Sequence, residues 1–538
     1  MKLLNDAFIK EKYCIFIIIL LKLLASCLSV INPLIIGVYI DILNTEKNRE
    51  LVLVFCFCFG FITILMLILQ YVANINVANL KLRLNNDIIV KTILHINKGN
   101  LRKVREYDSA YLAQRITQDS SQIVDFILNN MLSFGIQILI LLICILIMVK
   151  IDWIFLIFVL CISLINLLIY LLSKKRIYNE RLRVSNAQNQ YFAGLNENIS
   201  NIYFTKINYI FNKMKDRIIN SFKNYYEVHK SFIKVQSAYH LIQSIPTNLI
   251  VFVLFFYGGM GIINNKISIG EFIILNSYST MLLGNISYFV EFSNVYQNYI
   301  VSYNRLKELF NIPLDRMDNN KFDIQLNEDN FERISLSNIS LSYDNKYILN
   351  NINMSFQKGY IYNIVGSNGC GKTTLLNLLL FVEENYSGEV FYNNINIRSA
   401  NLALIRNELV SFVEQDPVIL NDSLKSNIEV LCINNIHEYN AKLDKELFMI
   451  FNSLDNLEEN KTLSKNVLSG GEQKKISIIR ALSKDTPIII LDEPTNSLDM
   501  QSIILLKDYL KRIKSKKLII MISHSEIFDD IVDCTYRI

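Results

Sequence analysis

The chain has 538 residues, enough for two or more domains, and a formal net charge of +5. Hydrophobic residues make up 51% and charged residues 19%. That balance is too apolar for a soluble enzyme of this length and places part of the chain against lipid. The mild positive charge makes no case for nucleic acid. The nine cysteines match no paired zinc spacing and read as small buried apolar side chains.

About 20 apolar residues cross a bilayer. In chain order, six segments are long and apolar enough to qualify: roughly 14–40, 51–73, 132–149, 153–172, 247–263 and 272–296, the last being the most polar. The first is too long for the core of a signal peptide and reads as a retained span. Short connectors (41–50, 150–152, 264–271) join the spans in pairs, and long ones (74–131, 173–246) separate the pairs. In "NLKLRLNNDIIVKTIL" the apolar residues recur every three or four positions, so the spans are expected to continue as helices far beyond the bilayer.

Basic residues set the orientation. The first long connector carries Lys81, Arg83, Lys91, Lys98, Arg102, Lys103, Arg105 and Arg115, whereas the short connectors hold only Lys47, Arg49, Lys150 and Lys266. Positive residues stay inside, which puts both long connectors and both termini in the cytoplasm. Pro33 predicts a bend in the first span. Lys22 and Glu291 are charges within spans, expected either to pair across a central cavity or to snorkel to the interface. Phe255, Phe256, Tyr278, Tyr288 and Phe289 either line an amphipathic pocket, pack helices together or face lipid.

The stretch 311–330, with proline and clustered Asp and Asn, reads as a linker. After it, short β-rich runs alternate with helices, the pattern of a mostly parallel sheet. The strand ending at Val365 leads into Gly366, Ser367, Asn368, Gly369, Cys370, Gly371, Lys372 and Thr373. This fits G-x-x-x-x-G-K-[ST], a phosphate-binding loop. Glycines let backbone N–H groups curl round phosphate oxygens, and the next helix aims its positive end at the same anion. Lys372 adds a point charge, and the Thr373 hydroxyl is suited to Mg2+. Further on, "IIILDE" ends an apolar strand in two carboxylates: Asp492 for Mg2+ and Glu493 to orient or deprotonate the attacking water.

With these motifs the chain resembles the ABC ATPase family, and the remaining elements fall in family order. Leu468, Ser469, Gly470, Gly471 and Glu472 are similar to the signature LSGGQ, with Glu for the last Gln. Gln415 matches the Q-loop, whose side chain joins the metal set, and Tyr343 matches the aromatic residue that stacks on adenine. Ser497, Leu498 and Asp499 match the D-loop, His524 matches the switch histidine, and Thr374 completes the phosphate loop. "SVINPLIIGVYIDIL" and "YLAQRITQDSSQIVDFI" resemble the exporter branch. The fold implied is an all-α six-helix transmembrane domain with long cytoplasmic helical extensions (1–310), a linker (311–330), then an α/β P-loop ATPase domain (331–538).

The resemblance also implies short helices near 107–112 and 199–204 that dock on ATPase domains. "NKTLSKNV", just ahead of the signature, departs from the exporter pattern. No protease-like segment is seen ahead of the first span, so a cargo-cleaving peptide exporter is not expected.

In the family each ATP lies between one chain's P-loop and another's signature. One chain has one of each, so a two-fold dimer is implied. Glu493 and His524 together favour a homodimer over the competent half of a heterodimer. The expected activity is ATP-driven export of a peptide, lipid or amphipathic molecule across a bacterial cytoplasmic membrane, with ATP and Mg2+ as cofactors and membrane lipid as surroundings. An importer built on the exporter fold and an ATP-gated sensor that moves nothing are the alternatives.

Overall fold

The computed structural model describes residues 9–45, 49–107, 109–315, 330–343, 346–367, 369–383, 385–400, 402, 405–431, 463, 468–523 and 526–538. The chain divides into two compact units, Met1–Ile93 with Ser109–Leu309, and Leu94–Asp108 with Phe310–Ile538.

The first unit is helical. Helix α1 covers Lys12–Thr45 and α2 covers Arg49–Asn97. After a short helix α3 (Leu101–Val104), α4 (Ser109–Asp125) runs through a π-helical turn (Phe126–Met131) into α5 (Leu132–Ile151). Then come α6 (Trp153–Ser200), the short α7 (Ile202–Ile207), α8 (Phe211–Ile263) and α9 (Ile269–Phe310). At 1.5 Å per residue, a helix of 49 residues is about 74 Å long, over twice the roughly 30 Å hydrocarbon core. The long connectors are therefore continuations of the spans. Among the described residues, five helical stretches are long and apolar enough to cross a membrane; α9 is long but more polar.

Local chemistry ends these helices where the sequence says it should. Asp152 separates α5 from α6 and caps α6, its Oδ1 accepting from the N–H of Ile154 (2.9 Å) and of Phe155 (3.0 Å). Ser268 and Glu271 form the reciprocal cap of α9. Pro33 and Pro246 lie inside helices rather than ending them. The first short helix is α3, N-capped by Asn100, rather than a helix at 107–112, where α4 has already begun. The second, α7, lies close to its expected place.

Two ends of the first unit are stapled. The Asp41 carboxylate, near the end of α1, accepts from Ser268 Oγ (2.6 Å) and Gly270 N (2.7 Å) at the start of α9. The helices approach so closely that a Cβ at Gly270 would fall on the Gly37 carbonyl and the Asp41 carboxylate.

The second unit is α/β. Strands β1 (Arg333–Tyr343), β2 (Lys346–Gln357), β4 (Ser387–Tyr392) and β5 (Ile395–Asn396) form an antiparallel sheet in the order β2-β1-β4-β5. Strands β3 (Ile361–Val365), β6 (Val410–Val413), β7 (Ile488–Asp492), β8 (Leu518–Ile522) and β9 (Cys534–Arg537) form a second sheet, in the order β6-β7-β8-β3-β9. Its neighbouring strands are all parallel. Side chains alternate between its faces. Ile488, Ile490 and Ile520 join the core shared with the antiparallel strands, while Ile489, Leu491 and Ile519 join the core under the helices. Burial on both faces accounts for the uninterrupted apolar strands. Among the described residues, helices α10 (Lys372–Leu379), α11 (Leu424–Glu429), α12 (Gly470–Ser483) and α13 (Met500–Ile513) belong to this unit, as does α3.

The tip 94–108 packs within this second unit. Asn100 N donates to Pro313 O and Asp315 N to Lys98 O, each at 2.8 Å. Arg102 faces Glu383 at 3.7 Å.

Because the α1–α9 contact leaves no room for a side chain, Gly270→Val is expected to cost about 1–3 kcal/mol through overpacking. A lowered melting temperature of the detergent-solubilised chain is the measurement that checks it.

Candidate functional site

A parallel sheet delivers the ends of its strands to one edge. Here that edge collects the phosphate loop after β3, Gln415 after β6, and Asp492–Glu493 at the end of β7.

Gly369 and Gly371 have φ of +80° and +107°, a region that favours glycine. At Gly371 a Cβ would also press on Ile348 and Leu349, at 3.0 Å from each. Gly371 is the N-cap of α10 and supplies no side-chain cap, so the first turn keeps backbone donors for an anion. Lys372 Nζ folds back on the carbonyls of Gly366 (2.6 Å) and Ser367 (3.2 Å). Thr373 is exposed on the first turn, and Thr374 beside it is half-buried. Cys370 is half-buried, its Sγ against Gly366.

Asp492 is buried. Burial, then the neighbouring Glu493, push its carboxyl above the usual range, while Lys474 and Lys372 pull it down. Glu493 has φ of +44°. Its carboxylate accepts from Gln415 Nε2 at 3.1 Å and from the Asn496 amide.

Ser469 caps α12 with a complete capping box. Its hydroxyl accepts from Glu472 N (3.3 Å), and Glu472 Oε2 accepts from Ser469 N (2.7 Å) and from the Ser469 hydroxyl (2.8 Å). Glu472 is thus occupied by its own helix end. Ser469 and Gly470 are exposed, and Gly471 lies against Ser497, whose carbonyl would be 2.7 Å from a Cβ there.

Three expected site residues lie outside the described placements: Asn368, His524 and the side chain of Tyr343. The backbone beside His524 is nevertheless fixed, since Asn363 on β3 exchanges hydrogen bonds with both backbone groups of Ser523 (3.1 and 3.3 Å).

The sequence reading passed over Asn363, Lys474, Lys475 and Arg480. Lys475 Nζ meets Asp499 at 2.8 Å; this hydrogen bond, with that from Ser502 N, holds the Asp499 carboxyl far below the usual range. Arg480 grips Asn427 O (2.7 Å) and Val418 O (2.8 Å). Lys474 is buried, and the desolvation lowers its ammonium's pKa against the pull of nearby carboxylates. The one sequence signal was polar residues at positions of α12 and β3 where the apolar pattern continues on either side.

The first unit holds a cavity of about 230 Å³ lined by Asn166, Gln243, Thr247, Thr280, Leu283, Gly284, Ile286 and Ser287. Asn166 is buried, and its Oδ1 has no partner among the described residues. The aromatic residues singled out in sequence fit the packing and outward-facing alternatives. Tyr278 donates to Val30 O (2.6 Å), Tyr288 donates to Asn130 O (2.7 Å), and Phe255 and Phe256 face outward. Among the described residues no ion pair joins Lys22 to Glu291.

Gly371→Ala should strain the loop at positive φ and crowd β2, weakening nucleotide binding at least about tenfold. Titration with a fluorescent ATP analogue reads this directly.

Residues 15–286 match the pattern of the ABC transporter transmembrane region, and residues 349–496 match the ABC transporter pattern. The chain is 24% identical to the microcin-J25 export ATP-binding/permease protein McjD of Escherichia coli, over 98% of this chain and 92% of that protein. It is 27% identical to an ATP-dependent lipid A-core flippase of Syntrophus aciditrophicus, over 50% of this chain and only 45% of the flippase. The structure of a bacterial Atm1-family ABC exporter with ATP bound superposes with a TM-score of 0.84 at 17% identity, covering 98% of this chain and 93% of that one. That likeness establishes the exporter fold. The transmembrane pattern alone spans half of the sequence, so this membrane protein, with an ATP-hydrolysing cassette fused behind its spans, belongs to the ABC transporter family.

Proposed function

We propose that the chain is a half-transporter that pairs with a second copy and uses ATP to export an amphipathic cargo (a peptide, a lipid or a small molecule) across a bacterial cytoplasmic membrane. The convergence of Lys372, Gln415, Asp492 and Glu493 on one sheet edge carries this reading.

The roles follow from the chemistry of each group. Backbone donors from Gly366 to Thr374 and the Lys372 ammonium bind phosphate oxygens, with Ser367, Asn368 and Cys370 contributing backbone. Tyr343 stacks on adenine. The Thr373 hydroxyl, the Gln415 carbonyl and the buried Asp492 carboxylate are hard oxygen donors that fit Mg2+, which favours few protein ligands plus phosphate. Bound there, Mg2+ offsets phosphate charge. Glu493, aimed by two amide donors, orients and deprotonates the attacking water, and His524 contacts the terminal phosphate.

The exposed Ser469 and Gly470, with Gly471 and Glu472, would complete the ATP site of a partner chain. No hydrogen bond among the described residues joins this helix end to the chain's own phosphate loop. The short helix α7 exposes Ile202, Tyr203 and Phe204, an apolar tip suited to docking on an ATPase unit. ATP would hold the two ATPase units together, and hydrolysis would release them, a ligand switch on a two-state element. The clustering of basic residues in the long connectors supports cytoplasmic termini. The polar cavity around Asn166 suits a cargo bearing uncharged hydrogen-bond donors.

Glu493→Gln should retain ATP binding, lower turnover about 100-fold or more, and trap a closed dimer that gel filtration with ATP detects. Ordinary turnover in that variant would overturn the assignment. Glu472→Gln keeps the capping box but removes a negative charge from the helix end that faces the partner's nucleotide. The KM for ATP should fall about two- to threefold, as steady-state kinetics would show.

A further inference from the structure

Lys474 sits one turn into α12, with about 1% of its surface exposed. Its Nζ donates to Glu414 O (2.8 Å), Asp492 O (3.0 Å) and Gln415 O (3.4 Å). An ammonium has three donors, and here three backbone carbonyls take them. Among the described residues no side chain is bonded to it. The lysine therefore holds the course of the main chain in two separate segments, the loop after β6 and the end of β7.

The Asp492 carbonyl has particular weight. It belongs to the peptide plane whose N–H is that of Glu493, and Glu493 N donates to Ile522 O at 2.9 Å. A peptide unit is planar and rotates as one body. With Lys474 on its oxygen and Ile522 on its nitrogen, the 492–493 plane is clamped at both ends. The residue it leads into has φ of +44°, a conformation that costs a non-glycine residue free energy and persists only where its surroundings over-determine it. Lys474 is one half of that over-determination. On the same ammonium, Glu414 O and Gln415 O fix the start of the loop whose Gln415 side chain bonds the Glu493 carboxylate at 3.1 Å. Ser477, one turn further along α12, adds a hydrogen bond to the Glu414 carboxylate (2.9 Å).

From this geometry we infer that Lys474 is a positioning residue for ATP hydrolysis: its buried ammonium clamps the 492–493 peptide plane and the Gln415 backbone together, so that Glu493 and Gln415 meet the nucleotide as a unit. The inference rests on the ATPase reading of this edge. All three Lys474 donors are on backbone carbonyls, so the side chain acts through the main chain. Removing it leaves the phosphate loop intact, and with it ground-state binding of ATP. What is lost is the aim of Glu493, which matters in the transition state. The signature is a loss in kcat with KM and binding unchanged.

The test uses the full-length chain in lipid nanodiscs with magnesium ATP. Lys474→Met removes every donor at similar length, and Lys474→Gln keeps an amide with two N–H groups. Turnover, KM for ATP, affinity for a fluorescent ATP analogue and melting temperature are measured for each. The expected result is a kcat lowered about tenfold or more for Lys474→Met and an intermediate kcat for Lys474→Gln. Nucleotide affinity and KM should stay within about twofold of the parent. Wild-type turnover in Lys474→Met overturns the inference. So does a parallel fall of kcat, nucleotide affinity and melting temperature, which would make Lys474 a general prop of the fold. If the Met variant does not fold, Lys474→Gln decides alone: a lowered kcat with unchanged affinity and melting temperature supports the role, and any other pattern overturns it. Absence of ATP hydrolysis in the parent chain would instead refute the ATPase reading.

Discussion

The parallel register of β6, β7, β8 and β3 is the constraint on which the nucleotide chemistry rests. Asp492 pairs with Ile522 and Ile364 pairs with Ile522 across the same three strands, so the Asp492 carboxylate, the segment before His524 and the start of the phosphate loop leave the sheet at one level. An antiparallel arrangement would send alternate strand ends to opposite edges and scatter these groups. Both faces of the sheet are buried, and a slip of one residue would turn its apolar side chains to the wrong face. The hydrophobic cores on either side therefore fix where the charges emerge.

Helix α12 converts that fixed edge into a connected one. It enters the interior with Lys474, Lys475 and Arg480 on board, all buried and all bonded to the chain. Burying three cations is costly, and leaving one without its acceptors costs about 3–5 kcal/mol. The expense is tolerable because each meets backbone carbonyls or a carboxylate in good geometry. The consequence is that the segments at 414–415, 418–427, 492 and 499 are all tied to one rigid helix. The end of that helix is the exposed Ser469–Gly470 segment. A force applied at that end has a direct covalent and hydrogen-bonded route to Glu493, without passing through a loop.

Much of this was legible in the sequence, for physical reasons that differ from place to place. The spans announced themselves because lipid demands long apolar helices, and their extensions kept the helical period. The phosphate loop was legible because its glycines answer to backbone geometry, with Gly371 at φ of +107°. The resemblance put the first short helix near 107–112 rather than at Leu101–Val104, and four residues are too few to establish a period that would have corrected it. What marks them is the cap at Asn100. For Tyr278 and Tyr288 pocket lining and helix packing stayed open, because an aromatic ring in a span has no signature that separates the two; their hydrogen bonds to Val30 and Asn130 fit packing. Lys474 was passed over because a lysine on a helix reads by default as solvated, and its carbonyl partners come from segments about 60 residues earlier and 18 residues later.

The two units solve the problem of buried polarity in opposite ways. In the ATPase unit the buried lysines and arginine of α12 find partners, and the result is a stiff edge. In the membrane unit Asn166, Tyr170 and Asn285 are buried with polar atoms that have no partner among the described residues. In a low-dielectric interior each such atom costs about 1–3 kcal/mol. A span can omit such groups, since leucine or valine packs as well without the cost. Keeping the Asn166 amide beside a cavity of about 230 Å³ therefore lowers the stability of the resting helix bundle in exchange for an acceptor that water or a cargo donor can satisfy. Rigidity is thus concentrated at the sheet edge that carries Asp492 and Glu493, and unsatisfied polarity beside the cavity of the membrane unit.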